Sequence, residues 1–508
     1  MMRKSPSSQL FQPSQPILRL AELRAIEQRQ CHASPPLMER AGAAAAAQAA
    51  RLLAGSGLPP LIVAGPGNNG GDALVVARLL KQQAMQPVVV LAGSVDKLPA
   101  DARAAHDAWI AAGGTLHPEI PAQAYGLAID GLFGIGLGEK YRPLAKPYAA
   151  LIAQLNALGC PVLSLDLPSG LDSETGHVLG IAVRATHTAS FIALKPGLLT
   201  VDGPDHCGEI SVHDLALDID SADGRSISPA LFAMQLTPRL KNSHKGSYGS
   251  AGILGGAPGM AGAALLAGRA ALKLGAGRVY VGLLDKLAVD PTQPELMLRA
   301  ADEVFALATC LAVGPGLGQS ATALDLLRLA IDSSLPLLLD ADALNLLAAH
   351  PVLARRLPRR AGTTLLTPHP AEAARLLDCA TSAVQADRIA AALALAQRFR
   401  AATLLKGCGS IVALPDGRWF INTTGNPALA SAGTGDVLSG MAVALLAQGW
   451  PAEQALLAAV HAHGAAADAC VAAGNGPLGL SAGELIDPAR KLLNRWIAVL
   501  ASPPASAK

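Results

Sequence analysis

The stretch SAGTGDVLSGM at residues 431–441 sets a carboxylate, Asp436, inside a glycine-rich turn that opens an apolar helical segment. Such turns ordinarily bind anions, because free amides point at the ligand and the helix dipole favours negative charge. No Gly-Lys dipeptide occurs in the chain, so this is not the phosphate loop of P-loop nucleotide hydrolases. A turn carrying an acid instead of a lysine suits group transfer. The amides of residues 432–435 can hold a transferring phosphoryl group as an anion hole. Asp436 can then take the proton of the attacking hydroxyl. Helix capping alone would also favour an acid here, and the two roles are compatible.

Further chemistry-bearing groups stand at apolar strand ends in the same half. LLKGCGS (404–410) offers the Lys406 amine and the amides of Gly407, Cys408, Gly409 and Ser410 to nucleotide phosphates. VGPGLG (313–318), LLDADALN (338–345) and TPHPAE (367–372) end other strands, the last with His369 and Glu372. His461 and His463, two apart, would diverge on a helix and do not read as a metal pair.

In the first half, AGPGNNGGDALVV places Gly65, Gly67 and Gly70 in a G-x-G-x-x-G turn between a strand and a helix. No acid follows ~20 residues on to hold a ribose, which argues against a plain hydride-transferring dehydrogenase. The turn instead carries Asn68, Asn69 and Asp72, while Asp130 and Asp166 end later strands. Asn69, Asp130 and Ser169 are oxygen donors with no His or Cys among them, which suits a hard cation. GIGLGEK (134–140) supplies bare amides and Lys140, suitable for a pyrophosphate.

The elements that must position these groups alternate along the chain. LIVAG, PVVVLAG, LAIDGLFG, PVLSLDLPSG and TASFIAL are short apolar runs separated by helical patterns. They predict a parallel sheet with helices on both faces. Residues 1–16 read as a disordered leader and the domain boundary falls near 220–228. The α/β pattern then restarts, from AGILGG to DVLSGMAVALLAQG, and no fixed-period repeat is present. With 508 residues, two large domains are expected. The balance of 40 basic and 38 acidic residues gives no electrostatic case for nucleic acid or an anionic membrane. The charge-free span 247–268 is broken by Pro258 and glycines, so a membrane-spanning helix is not expected there. Seven scattered cysteines and the lack of a signal-peptide core point to the cytoplasm.

In the first half LMERAG, GPGNNGGD, DGLFGIGL and SLDLPSGLDSETG, in that order, resemble the NAD(P)H-hydrate epimerase family over about residues 17–220. The resemblance implies a Rossmann-like three-layer sandwich. It implies an NAD(P)HX site over Asn68, Asn69, Gly70, Gly71 and Asp72, over Gly134, Ile135, Gly136, Leu137, Gly138, Glu139 and Lys140, and at Asp166. A potassium ion (K+) would be held by Asn69, Asp130 and Ser169, and Tyr148 would touch the ligand. Inverting a hydrated carbon, by losing and regaining water or by opening and closing the ring, needs a proton acceptor and a donor. Asp166 is the candidate base and Lys140 a candidate charge stabiliser.

The second half resembles the ADP- or ATP-dependent NAD(P)H-hydrate dehydratases, which are ribokinase-like α/β proteins, over about 228–500. The resemblance carries through GAPGMAG, GPGLG, LDADALN, LTPHPAE, LKGCGS and NTTGNPALASAGTGDVLSG. It implies substrate contacts at Ala263, Gly316, Gly318, His369 and Asp436, and nucleotide contacts at Lys406, Gly407, Cys408, Gly409, Ser410 and Gly435. Cys408 departs from the small residue expected there. Mg2+ would accompany ADP or ATP. The implied domains are 17–225 and 226–508, with NADHX and NADPHX as small-molecule substrates and a homo-oligomeric state. Two other readings stand beside this one. The first is a kinase of a small hydroxylated metabolite such as a hydroxymethylpyrimidine, whose product keeps the phosphate. The second is a scaffold whose first domain binds a ligand without catalysis.

Overall fold

The computed structural model describes residues 11–140, 144–219 and 221–501, with the side chains of 138–140 outside that description. Two compact units divide the chain. One is Gln15–Gly224; the other takes the chain from Arg225 onward, and the described residues before Gln15 cluster with it. Residues 1–10 of the expected leader lie outside the described residues. Ser14, by contrast, is buried and its hydroxyl donates to the Ser226 carbonyl at 2.6 Å.

In the first unit, six short strands form one parallel sheet. They are β1 (Pro60–Ala64), β2 (Val88–Leu91), β3 (Leu127–Gly131), β4 (Val162–Leu165), β5 (His187–Phe191) and β6 (Glu209–His213). Their order is β2-β1-β3-β4-β5-β6. Strand periodicity sends alternate residues to opposite faces. Ile62, Ile129 and Leu163 therefore join one apolar layer with Ala45, Leu74 and Trp109. Those three belong to α2 (Leu37–Leu52), α3 (Asn68–Gln82) and α4 (Ala100–Ala111), which follow α1 (Leu20–Arg29) in the chain. Leu61, Ala128 and Val162 join the other layer with Ile152 and Leu155 of α5 (Lys146–Ala157). The result is the expected three-layer sandwich. The chain leaves β1 to one side for β2 and crosses back to β3 on the other, so a crevice opens at the carboxyl ends of β1 and β3.

The larger sheet, of the second unit, includes nine strands from Ser250 onward. They are β7 (Ser250–Gly255), β8 (Arg278–Leu283), β9 (Met297–Arg299), β10 (Cys310–Val313), β11 (Leu337–Leu339), β12 (Thr364–Leu366), β13 (Ala402–Leu405), β14 (Ile411–Ala413) and β15 (Trp419–Ile421). They lie in the order β15-β14-β13-β12-β11-β10-β7-β8-β9. From β13 to β9 the pairings are parallel, and β13-β14-β15 are antiparallel. The antiparallel end has a simple cause. A parallel connection needs about a dozen residues or more, and the loops after β13 and β14 are far shorter.

The helices that matter for the site are α6 (Ala261–Lys273), α7 (Ala321–Asp332), α8 (Ala341–Ala349), α9 (Pro370–Leu377), α10 (Arg388–Phe399) and α11 (Thr434–Ala447). They are followed by α12 (Ala452–Ala472) and α13 (Ile486–Ala501). Helix α12 is long and apolar enough to cross a membrane by length and composition, but 72% of that stretch is buried inside the protein. Its residues share one core with α6 and α11.

The crossing of α6 and α11 is close because Gly440 has no side chain: a methyl group there would fall 2.1 Å from the Ala267 carbonyl oxygen. Gly440→Ala is therefore expected to destabilise this unit by about 1–3 kcal/mol through overpacking. Urea unfolding checks this, and an unchanged midpoint would show that the helices have room to part.

Candidate active sites

At the β1–β3 crevice lies a cavity of about 690 Å3. Asn68, Asn69, Asp72, Gly134, Ile135, Gly136, Leu137 and Asp166 all line it. Gly70 and Gly71 do not; they are buried in the first turn of α3, against the Gly65 backbone and Met38 respectively. Gly138, Glu139 and Lys140 fall in the helical turn Ile135–Lys140, and the Lys140 side chain lies outside the described residues. Tyr148 is not in the cavity lining; it packs edge-on against Phe133 with ring centroids 4.9 Å apart.

Asp130 and Ser169 sit beneath the cavity. Asp130 is fully buried and accepts from Ser164 Oγ (2.8 Å), Ser169 N (2.9 Å), Ser169 Oγ (2.6 Å) and Leu132 N (3.2 Å). Burial pushes its carboxyl above the usual range, and these hydrogen bonds oppose the shift. Ser169 Oγ also accepts from Phe133 N at 2.8 Å, which ties the Asp130 network to the turn entering residue 134. Asn69 Nδ2 donates to the Leu165 carbonyl at 3.1 Å. Its Oδ1 is buried with no hydrogen-bond partner among the described residues.

Asp166 has a left-handed backbone, φ +67°, rare for a residue other than glycine. Its Oδ1 is ion-paired with Lys195 Nζ and accepts from Phe191 N at 3.4 Å. Lys195 is 1% exposed, and its ammonium also donates to Ser190 Oγ (3.0 Å) and the Phe191 carbonyl (2.7 Å). The other Asp166 oxygen faces Gly134: a methyl there would lie 3.3 Å from Oδ2 and 3.4 Å from Asn69 Cβ. Glu27 of α1 and Asp101 of α4 complete the acidic group lining the cavity. Burial, Asp166 and Glu27 hold the Asp72 carboxyl well above the ordinary carboxylate range. Burial first and Asp166 second also raise Glu27.

Sequence reasoning missed Lys195 and Glu27. A signal for Lys195 was present: it is the one charged residue in the apolar run FIALKPGLL, and a lysine buried there requires a partner. Glu27 sits in an ordinary amphipathic helix, where nothing sets it apart.

The second unit places Asp436 in the first turn of α11, after Gly433 at φ +88°. That turn cannot extend back, so the first amides of the helix have no partner within it. Thr434 Oγ1 tethers the turn to the carbonyls of Leu429 (3.1 Å) and Ser431 (3.0 Å). Lys406 Nζ donates to Asp340 Oδ1 at 2.7 Å, and Ser439 Oγ, one turn beyond Asp436, donates to Asp340 Oδ2 at 2.7 Å. The Lys406 ammonium also lies at the helix start, where a methyl on Gly435 would be 3.4 Å from it. Burial penalises that charge, but Asp340, Glu372 and Asp436 outweigh the penalty and hold Lys406 above its usual value. Burial first, then Asp340, pushes Asp436 up to about 6, against the pull of Lys406.

The loop 406–410 is braced from inside. Gly407 N donates to Ser410 Oγ (3.2 Å), and Ser410 Oγ donates to the Gly407 carbonyl (2.9 Å). The Gly407 amide is therefore occupied, contrary to the expectation that all four amides face the ligand. Beneath the loop, Arg388 of α10 is 4% exposed and donates to the carbonyls of Lys406 (3.3 Å) and Gly409 (3.5 Å). Cys408 is exposed.

His369 caps α9: its Nδ1 accepts from the amides of Ala371 (3.1 Å) and Glu372 (3.4 Å), and Glu372 Oε2 accepts from His369 N (2.8 Å). Burial, and then Lys406, lower its pKa, and with Nδ1 accepting, the ring's N–H is on Nε2. Ala263 of α6 abuts Gly316, and Gly318 N donates to Asp342 Oδ2 at 2.8 Å. His461 and His463 are buried on α12, and burial pushes both down to about 4. The residues that sequence reasoning left unnamed here are Asp340, Ser439 and Arg388.

Two family models match the chain: NAD(P)H-hydrate dehydratase over residues 251–488, and YjeF-related protein N-terminus over residues 34–197. The bifunctional NAD(P)H-hydrate repair enzyme Nnr of Escherichia coli strain K12 is 40% identical over 434 residues, which cover 82% of each chain. The enzyme of the same name from Coxiella burnetii is 37% identical over 438 residues, covering 82% of this chain and 86% of that one. A crystal structure of ADP/ATP-dependent NAD(P)H-hydrate dehydratase from Bacillus subtilis, co-crystallised with ATP and Mg2+, is 32% identical with a TM-score of 0.48. It covers 53% of this chain and 98% of its own. With relatives of such identity along most of both lengths, this chain belongs to the family of bifunctional NAD(P)H-hydrate repair enzymes.

Proposed function

We propose that the first unit interconverts the R and S hydrates of NADH and NADPH, and that the second dehydrates the S epimer at the expense of ADP or ATP. The observation that carries the second activity is Asp436 at the start of α11, raised towards neutrality beside the Lys406–Asp340 pair. Asp436 takes the proton of the ring hydroxyl, and the oxygen attacks the terminal phosphorus of the nucleotide held at the turn 432–435. The nucleotide leaves one phosphate shorter. The ring ester then eliminates inorganic phosphate with loss of a neighbouring ring proton, which restores the reduced nicotinamide. Hydroxide, a poor leaving group, has been replaced by phosphate.

Lys406 supplies positive charge where negative charge gathers, and Asp340 and Ser439 aim it. Ala263, Gly316, Gly318 and His369 form the substrate side, and Cys408, Gly409, Ser410 and Gly435 the nucleotide side. Among the described residues no group of three or more His, Cys, Asp or Glu could hold a metal. Mg2+ would accordingly ride on the nucleotide phosphates, as it commonly does. In the first unit, the partnerless Asn69 Oδ1 and the buried carboxyl of Asp130 with its Ser169 bonds support a potassium ion held by Asn69, Asp130 and Ser169. Such an ion would supply positive charge at the cavity floor. No disulfide joins any of the seven cysteines among the described residues, which suits a reducing compartment, the cytoplasm.

The test is recovery of reduced nicotinamide absorbance from a mixed-epimer hydrate with ADP and Mg2+, alongside release of inorganic phosphate. A phosphorylated organic product in place of recovered cofactor would overturn the reading. The pH dependence follows from Asp436. Its carboxylate must be ionised to accept the proton, and its pKa is raised to about 6. Dehydratase kcat/KM should therefore fall about tenfold per pH unit below that value and level off above it. A profile flat through that region would remove Asp436 as the base.

A further inference from the structure

We infer that Asp166 and Asp72 are the base and the acid of the epimerase, and that Lys195 is the positioning residue that keeps them in opposite protonation states. The inference rests on the epimerase reading above and names its proton donor.

The geometry assigns the roles. Lys195 has three N–H donors, and all are spent on Asp166, Ser190 and Phe191, with the side chain almost wholly buried. No N–H is left over for a ligand. It binds only Oδ1 of Asp166 and leaves Oδ2 facing the cavity by Gly134. Four carboxyls, Glu27, Asp72, Asp101 and Asp166, line one cavity with this single ammonium, and among them it is bonded to Asp166 alone.

Asp72 lies one helical turn beyond Asn68 in α3 and lines the same cavity. Among the described residues its side chain has no hydrogen-bond or ion-pair partner. The other charged groups around the cavity are Glu27 and Arg24 of α1, Asp101 of α4, Asp166 and Lys195. A desolvated carboxyl without a donor, beside two like charges, is favoured as the neutral acid. Neighbouring carboxyls whose surroundings drive them apart in proton affinity make an acid–base pair.

The step balances without oxidant or reductant. In the hydrate, C6 carries the hydroxyl and is bonded to ring nitrogen N1. Asp166 removes the hydroxyl proton, the C6–O bond becomes a carbonyl, and the C6–N1 bond breaks. The electron pair left on N1 takes the proton of Asp72. Rotation about C5–C6 presents the other carbonyl face. Closure returns the N1 proton to Asp72 and the Asp166 proton to oxygen, with C6 inverted.

The test uses the full chain and a single purified epimer of NADHX, with exchange followed by chromatography without nucleotide. No acceleration by the wild type would sink the epimerase reading itself. Given acceleration, Asp72→Asn should lower kcat by about 100-fold or more, with little change in KM, and should abolish the alkaline fall of the wild-type pH profile. Lys195→Met should lower kcat with little change in KM, because the Asp166 carboxylate loses the partner that positions it. Asp72→Glu, which keeps a carboxyl, should retain the alkaline limb, so the inference stays testable if Asp72→Asn does not fold. It is overturned if Asp72→Asn keeps kcat within about threefold of wild type or changes KM alone. It is also overturned if Glu27→Gln removes the alkaline limb instead.

Discussion

Asp436→Ala is expected to leave the S hydrate unrepaired, lowering dehydratase kcat by about 10²–10⁴-fold. The substitution removes the proton acceptor and little else. The Lys406–Asp340 pair and the Ser439 bond to Asp340 do not pass through Asp436. The turn is held by Thr434 Oγ1, not by the carboxylate. Nucleotide binding should therefore survive, and the loss should fall on kcat. Asp436→Asn, which keeps size and position, should lose as much, since an amide cannot accept the proton. Single-turnover recovery of nicotinamide absorbance, with nucleotide binding by calorimetry, separates the two effects. A variant that loses affinity and keeps its turnover would mean that Asp436 only caps the helix.

Asp166→Ala should convert the repair of a mixed hydrate into a two-stage curve. The S epimer is consumed at the normal rate, since the dehydratase residues are all in the other unit. The remainder then follows the slow spontaneous interconversion. The alanine variant also leaves the Lys195 ammonium buried without its counter-charge, a defect that typically costs about 3–5 kcal/mol. A loss caused by unfolding must be told apart from a loss of chemistry. Asp166→Asn keeps an acceptor for Lys195, so it should recover much of the stability and none of the epimerase activity. Progress curves and thermal unfolding of the two variants check this, and a one-stage curve at the wild-type rate for either would remove Asp166 from the reaction.

Both sheets were legible because most of their strands are short apolar runs cut by helical patterns, and burial on both faces leaves that mark. Asp130 and Asp166 stood out for a related reason: each is a charge at the end of a run that should have none. What escaped were pairings set by strand order. Lys195 reaches back 29 residues to Asp166, and Lys406 reaches 66 residues to Asp340. Neither spacing has a local signature. Around the LLKGCGS turn the flanking strands were legible, and the antiparallel pairing of β13 with β14 was not assigned. That turn also shows the limit of counting glycines. The sequence offers four amides at 407–410, and the fold spends the Gly407 amide on Ser410. His369 was read as a strand-end group, and its Nδ1 bonds that cap α9 had no mark in that reading.

The account turns on whether the ring oxygen itself becomes part of the phosphate. An S hydrate carrying oxygen-18 in its ring hydroxyl, turned over with unlabelled ADP and Mg2+, answers this by mass spectrometry of the released phosphate. Attack by the hydroxyl deprotonated at Asp436 predicts one heavy oxygen in each inorganic phosphate and none gained by the water. Unlabelled phosphate, with the heavy oxygen found in water, would mean that nucleotide hydrolysis and dehydration are separate events, and the phosphoryl-transfer mechanism would be wrong.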